Sequence, residues 1–117
     1  MKLLIVDDDP GITEMLRDHF SLRSFEVLTA HTAVDALFLG FHEKPDAVIL
    51  DLGLPDFPGE QVLQTLKKLL PRTRVLILTG QSGPEMEARL YGLGCDAFMG
   101  KGAALKTLEG IIRGWEK

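Results

Sequence analysis

Residues suited to phosphoryl chemistry follow four short apolar runs of the chain, each of strand length. The run LLIV is followed by Asp7 and Asp8, AVIL by Asp51, VLIL by Thr79 and AFMG by Lys101. If these runs are parallel strands of one sheet, their carboxyl ends lie along one edge, where ligands bind in open α/β sheets. The sequence therefore predicts one pocket that gathers three carboxylates, a hydroxyl and an ammonium.

This set of groups matches the needs of phosphoryl transfer to a carboxylate. Crowded carboxylates repel one another, and a divalent cation relieves that repulsion; Mg²⁺ prefers one or two carboxylates with water and phosphate oxygens. One carboxylate must stay free to attack phosphorus. Asp51 is the best candidate nucleophile because it follows the central run and precedes a loop rich in Gly and Pro. Lys101 would bring a positive charge and Thr79 a hydroxyl donor to the phosphoryl oxygens.

Length and composition are those of an ordinary soluble protein, and we expect residues 1–117 to form a single domain. The net charge of −4 and the scattered basic residues argue against direct binding of nucleic acid.

Cys95 is the only cysteine, so no internal disulfide can form, which fits the reducing cytoplasm. We expect Cys95 to pack as a small residue. No apolar run approaches the ~20 residues that span a bilayer, so a cytoplasmic protein without membrane contact is predicted.

Apolar runs alternate with stretches of helical period, a pattern typical of βα units around a parallel sheet. Continuous apolar runs are typical of strands that are buried on both faces. The second strand carries Glu26 and Thr29 and is predicted at an exposed edge of the sheet. Strands are predicted at residues 2–6, 26–30, 47–50, 74–78 and 96–100.

Five helices are predicted, one after each strand. Asp9 and Pro10 suit the start of the first helix, and Thr32 with Asp35 resembles a capping box before the second. The fourth helix is short, at residues 84–91. Apolar positions recur at helical spacing in the other four helices, and these are the candidates for the buried faces: Ile12, Met15, Leu16 and Phe20; Val34, Leu37, Phe38 and Phe41; Val62, Leu63, Leu66, Leu69 and Leu70; Leu105, Leu108, Ile112 and Trp115.

Taken together, the motifs resemble the receiver domain of bacterial two-component response regulators. LLIVDDDP resembles the family's first strand with its acidic pair, and AVILDLGLPDFPG resembles the phosphoacceptor strand, its D-x-x-x-P loop and the following glycine. VLILTG resembles the strand with the hydroxyl residue, and GCDAFMGK the segment that ends in lysine. The resemblance covers essentially the whole chain. It implies a flavodoxin-like α/β fold, with a five-stranded parallel sheet in the order 2-1-3-4-5 flanked by five helices.

The resemblance implies a role for each matching residue of the pocket. Asp51 would accept the phosphoryl group. Asp8 would bind Mg²⁺ or Mn²⁺ directly, and Asp7 would help through water or polar contacts. The backbone carbonyl of Gly53 would be a further metal ligand. Thr79 would contact the phosphoryl group, as would Lys101, the lysine that follows the fifth strand.

Three further positions are interpreted through the same resemblance. Phe98 would be the aromatic residue that changes rotamer on activation. Gln81 lies two positions after Thr79, where side chains in the family tune hydrolysis, and we expect its amide to orient or block the attacking water. Gly102 follows the lysine where the family usually has proline; because a cis bond before glycine would cost about 2.5–4 kcal/mol, a trans bond is predicted.

The implied function is a phosphorylatable signalling switch and not a dedicated enzyme, although the domain assists its own phosphorylation and dephosphorylation. A histidine kinase or histidine phosphotransfer protein would donate the phosphoryl group. The face formed by the last two helices and the strand between them would then change and control a partner or an output domain. The input signal, the cognate kinase, the type of output and a homodimer on phosphorylation stay open.

Two alternative functions also stay open. Asp7 and Asp9 superficially form the D-x-D motif of haloacid dehalogenase phosphatases, in which the first Asp is the nucleophile. Those enzymes are generally longer, and the hydroxyl residue expected after the motif is missing. The other alternative is a receiver-like interaction module that no longer takes phosphate, and Gly102 is the only feature that favours it.

Overall fold

The computed structural model describes residues 1–80 and 83–116 of the chain. Strands and helices alternate along it, as predicted. The strands are β1 (Lys2–Val6), β2 (Glu26–Ala30), β3 (Ala47–Leu50), β4 (Arg74–Thr79) and β5 (Ala97–Gly100). The helices are α1 (Pro10–Ser21), α2 (Ala33–Glu43), α3 (Gly59–Leu69), α4 (Pro84–Gly92) and α5 (Leu105–Arg113).

The five strands form one parallel sheet in the order β2-β1-β3-β4-β5. This order and the edge position of β2 confirm the predictions. Val6 pairs with Ala30 on one side and Leu50 on the other, so that β1, β2 and β3 end level with one another. Thr79 pairs with Gly100 at the end of β4 and β5. The residues that follow the strands therefore meet along one edge.

Alternate strand residues face two separate cores, one on each side of the sheet. Leu3 and Ile5 of β1 pack with Leu16 and Phe20 of α1 and with α5. The intervening strand residues, such as Leu4, pack against α2, α3 and α4. Helices thus cover both faces, which explains why β1, β3 and most of β4 read as continuous apolar runs.

The inward face of α2 was predicted wrongly. Val34, Phe38 and Phe41 are each more than half exposed, and the residues that α2 buries are small: Ala33, Ala36 and Gly40. The reason is close packing against α3. A Cβ added at Gly40 would lie 2.8 Å from the Leu66 side chain, so small residues let the two helices approach and turn the bulky stripe towards solvent.

Smaller differences concern element ends and single side chains. β4 runs one residue further than predicted, to Thr79, and β5 begins one residue later, at Ala97. Met15 and Leu69 are exposed rather than buried. Trp115 lies just beyond α5 and is half-buried against the α1/α5 core.

The predicted helix starts of α1 and α2 are confirmed. The Asp9 side chain accepts a hydrogen bond from the Gly11 amide, with Pro10 at the first helical position. The Thr32 hydroxyl accepts one from the Asp35 amide. Within residues 1–80 and 83–116, none of the helices combines the length and apolar character needed to cross a membrane.

Candidate functional site

The predicted residues are brought together at the carboxyl edge of the sheet by backbone pairing that continues past the strands. The Asp7 amide donates to Ala30 O (3.1 Å), and the Asp51 amide donates to Val6 O (2.9 Å). These bonds add one residue to β1 and β3. The first residue after β5 is held in the same way.

That residue is Lys101, whose amide donates to the carbonyl oxygen of Thr79 over 2.9 Å. The backbone of each of these residues is therefore part of the sheet's hydrogen-bond network rather than of a free loop. Side chains positioned in this way have few directions open to them, which favours a preorganised site.

Asp7, Asp8 and Asp51 form an acidic cluster, in which one carboxylate oxygen from each residue lies within 4.8 Å of the others. Asp7 is 2% exposed and Asp51 5% exposed, whereas Asp8 is open to solvent. Two buried carboxylates and one accessible carboxylate make an oxygen-only donor set of the kind that Mg²⁺ and Mn²⁺ prefer. The residues present therefore fit a small divalent cation.

Lys101 supplies a positive charge to this cluster. Its Nζ lies 3.1 Å from Oδ2 of Asp7 and 3.4 Å from Oδ2 of Asp51. Burial lowers the pKa of the Lys101 ammonium, but its hydrogen bonds to the two carboxylates and their charges outweigh that effect and raise the pKa overall. Lys101 therefore stays protonated and offers a fixed cation at the site.

The protein surroundings of Asp7 disfavour the charged form of its carboxyl group. Burial is the main cause that raises the pKa of its carboxyl group, and the nearby charge of Asp51 raises it further. The Asp9 amide, which donates to Oδ1 over 2.9 Å, and Lys101 lower it, but only in part. A cation bound beside Asp7 would reverse this balance, since the charge of an ion dominates its local electrostatics.

Asp51 opens into a cavity of about 330 Å³, a size that accommodates a phosphoryl group. Thr79 is 2% exposed and is the last residue of β4. Asp7 is not part of the wall. The cavity is lined by Asp8, Asp51, Leu52, Gly53, Thr79, Gly80 and Lys101.

Gly53 lies beside the carboxylate of Asp51, since a Cβ added to it would be 3.6 Å from Asp51 Oδ2. The structure thus places six of the predicted residues around one cavity or in direct contact with its walls.

Phe98 lies two residues before Gly100 in β5, half-buried against the core under α2, α3 and α4. Gln81 lies outside the described residues. The Lys101–Gly102 peptide bond is trans, as predicted.

Asp9 does not join the acidic cluster, because its side chain caps α1. The D-x-D interpretation therefore loses its second carboxylate.

Sequence reasoning also missed Asp56, whose carboxylate accepts hydrogen bonds from the amides of Ala33 and Val34. No local pattern signals this contact, since the partners are 22 and 23 residues apart in the chain.

Comparisons with known proteins support the family resemblance of the sequence motifs. The family model of the response regulator receiver domain matches residues 3–113. The cell cycle response regulator CtrA of Brucella ovis is 36% identical over 101 residues, which are 86% of this chain and 44% of that protein. The chain thus spans less than half the length of the curated relatives it matches.

Solved structures agree with the family model. A CheY-like response regulator receiver domain protein from Methanospirillum hungatei superimposes with a TM-score of 0.92 at 28% identity, covering 97% of this chain and 90% of that one. A response regulator from Burkholderia pseudomallei, solved with a phosphorylated aspartic acid, calcium ion and citrate, gives 0.88 at 27% identity, covering 93% and 64%. The chain belongs to the response regulator receiver domain family.

Proposed function

We propose that this receiver domain is a phosphorylation switch of a two-component system and that Asp51 is its phosphoacceptor. Receiver domains of response regulators are signalling domains and not dedicated enzymes. The observation that carries the proposal is the position of Asp51. It is buried at the end of the central strand, yet it lines a cavity together with Lys101 and Thr79.

In the proposed reaction, a carboxylate oxygen of Asp51 attacks phosphorus and forms a P–O bond. The P–N bond of a phosphohistidine on a histidine kinase or phosphotransfer protein breaks, and its electron pair returns to the imidazole nitrogen. Lys101 balances negative charge on the transferring phosphoryl oxygens, and Thr79 donates a hydrogen bond to one of them. Water later attacks phosphorus, which releases inorganic phosphate and restores the carboxylate.

Receiver domains bind Mg²⁺ at an acidic pocket, and Asp7, Asp8, Asp51 and the carbonyl oxygen of Gly53 would hold Mg²⁺ or Mn²⁺ here. The ion neutralises charge on the phosphoryl group when it is bound. Asp8 is the exposed member of the cluster and would bind the ion directly, while the buried Asp7 would act through water or polar contacts. The calcium ion and phosphorylated aspartic acid of the Burkholderia protein support this assignment.

Phosphorylation would be transmitted from Asp51 through Thr79 and Phe98 to the face formed by α4, β5 and α5. Such a switch shifts the population between two states of the domain rather than creating a new fold. Gln81 would set the phosphoryl lifetime by orienting or blocking the attacking water. The controlled partner would be an output domain, another protein or a second copy of the chain, and the switch would act in the cytoplasm.

The two alternative functions receive less support. A phosphatase that uses Asp7 needs a free nucleophile, but Asp7 is buried, accepts from the Asp9 amide and pairs with Lys101. An interaction module that takes no phosphate does not need the Nζ of Lys101 3.4 Å from Oδ2 of Asp51 at the edge of a cavity. Both alternatives have distinct outcomes in the experiment that follows.

Intact-mass spectrometry after incubation with acetyl phosphate tests the proposal, with and without Mg²⁺. The wild type is expected to gain about one phosphoryl mass only with Mg²⁺, and Asp51→Asn to gain none. Asp35→Asn is the matched control, because it removes an exposed carboxylate that is absent from the cavity. No adduct on the wild type would favour the interaction module, and an adduct that persists in Asp51→Asn would move the nucleophile to Asp7 or Asp8.

A further inference from the structure

The loop between Asp51 and α3 is held at its base by α3 itself. The Gly59 amide donates to Leu52 O over 3.1 Å. A Cβ at Gly59 would lie 2.5 Å from the Leu52 Cα and 2.9 Å from the Asp51 carbonyl oxygen, so the two backbones touch directly. This contact fixes where the loop begins and ends, but not where its tip lies.

The tip is held by a different helix, through Asp56. Its Oδ1 accepts from the Ala33 amide (2.8 Å) and its Oδ2 from the Val34 amide (3.0 Å). The Phe57 amide also donates to Oδ1 (3.1 Å), which orients the carboxylate. Ala33 and Val34 are the first two residues of α2, so Asp56 satisfies two amides that have no partner within the helix.

The start of α2 therefore has two caps of different origin. Thr32 is the local cap, and its hydroxyl accepts from the Asp35 amide. Asp56 is the distant cap and brings a negative charge to the positive end of the helix dipole. The hydrogen bond from the Ala33 amide is the main cause that lowers the pKa of Asp56, so the carboxylate is charged at neutral pH.

We propose that Asp56 is a positioning residue that ties the loop of residues 52–58 to α2 and thereby sets the position of Gly53 beside Asp51. The inference rests on the proposed function, in which Gly53 is a metal ligand. Only Leu54 and Pro55 separate Gly53 from Asp56, and proline fixes one backbone dihedral angle of that short link. A displacement of Asp56 is therefore passed on to Gly53.

The link works in both directions. If the contact between Asp56 and α2 favours the loop position that binds a divalent cation, then binding of the cation must favour the same contact by an equal free energy. Binding of the cation would thus strengthen the contact at the amino end of α2, which lies on the side of the sheet opposite α1 and α5.

Binding of Mn²⁺, followed by electron paramagnetic resonance of the free ion, tests the inference without any phosphoryl donor. Asp56→Ala is expected to weaken Mn²⁺ binding about fivefold or more. Thr32→Ala is the matched control, since the hydroxyl that it removes caps the same helix end by accepting from the Asp35 amide of α2 itself. It is expected to lower stability while leaving Mn²⁺ affinity within about twofold. Asp56→Asn keeps one oxygen acceptor, the amide carbonyl, and should restore part of the affinity.

Amide hydrogen exchange gives a second readout. Mg²⁺ is expected to slow exchange at the Ala33 and Val34 amides in the wild type and in Thr32→Ala, but not in Asp56→Ala. If Asp56→Ala loses stability yet binds Mn²⁺ as Thr32→Ala does, Asp56 is only a helix cap and the inference is wrong. If the wild type binds no Mn²⁺ and forms no adduct with acetyl phosphate, the proposed function fails and the inference fails with it.

Discussion

The Nζ of Lys101 lies 3.1 Å from Oδ2 of Asp7, so the lysine that follows β5 is paired across the sheet with the carboxylate that follows β1. Its distance to the phosphoacceptor candidate Asp51 is longer, at 3.4 Å. Lys101 thus compensates the charge of two buried carboxylates. A divalent ion in the acidic cluster would take over that task and repel the ammonium.

Replacing Lys101 by Met is therefore expected to have opposite effects on stability and on metal binding. Without Mg²⁺, the free energy of unfolding should fall by about 1–3 kcal/mol, since Asp7 and Asp51 lose their positive partner. Affinity for Mg²⁺ should rise roughly tenfold, because a repelling charge is removed. Calorimetric titration and urea unfolding measure the two quantities.

Lys106→Met is the control for this pair of effects. Lys106 is an exposed lysine of α5 and does not line the cavity, so both quantities should stay near the wild-type values. Weaker Mg²⁺ binding by Lys101→Met would contradict the competition between the lysine and the ion.

Gly59→Ala is expected to be strongly destabilising although alanine is the better helix former. The added Cβ would lie 2.5 Å from the Leu52 Cα, and a backbone atom cannot move aside cheaply. A loss of about 2 kcal/mol or more in urea unfolding is expected, with a lower yield of the phosphoryl adduct because Asp51 adjoins Leu52.

Gly110→Ala is the matched substitution at a helical glycine without neighbours. A Cβ there meets nothing within 4 Å, in the middle of α5. This variant should gain about 0.5–1 kcal/mol from helix propensity. Equal effects of the two substitutions would show that the close approach at Gly59 is not constraining.

Because one face of α2 is exposed, we expect substitutions of different phenylalanines to change the free energy of unfolding by unequal amounts. Phe38 is 59% exposed and stacks on His42, one turn further along the helix. Phe38→Gln should change the free energy of unfolding by less than about 1 kcal/mol. Phe20 is fully buried in the α1/α5 core, so Phe20→Ala should cost about 3–5 kcal/mol. A large loss in Phe38→Gln would mean that α2 packs with its bulky stripe inward after all.

We expect the protein to lose stability at alkaline pH because of the buried thiol of Cys95. Burial, with smaller contributions from the charges of Asp96 and Glu87, raises the pKa of this thiol from 9.0 to about 11. The unfolded chain then releases the proton at lower pH than the folded one. The contribution is fully present below about pH 9 and is lost as pH rises through 11, to a total of roughly 2–3 kcal/mol.

Urea unfolding between pH 8 and 11, compared with Cys95→Ala, isolates this contribution from other groups that titrate in the same range. The variant removes the thiol, and its cavity cost does not depend on pH. The difference between wild type and variant should therefore shrink as pH rises. A constant difference would show that the thiol pKa is not raised by the fold.

The strands and the gathering of the candidate site residues at one edge were predictable from the residue pattern, whereas the strand order followed from the resemblance to receiver domains. Buried parallel strands need continuous apolar runs, and residues that follow such runs must lie at one edge of the sheet. Asp7, Asp8, Asp51 and Lys101 were named in this way as candidates, and the structure brings them together. The caps Asp9 and Thr32 were identified because their partners lie within three residues.

Contacts between distant parts of the chain were decided by the tertiary structure only. The small residues of α2 face the core because Gly40 meets Leu66 of α3, a packing that no periodicity in α2 reveals. Likewise, Asp56 caps a helix that begins 23 residues earlier, and Lys101 pairs with Asp7 across the sheet. Local sequence determines which residues form strands, turns and caps, since those interactions are short-range. Tertiary packing of the helices and strands decides which face a helix buries. It also decides which hydrogen-bond partner a loop carboxylate has.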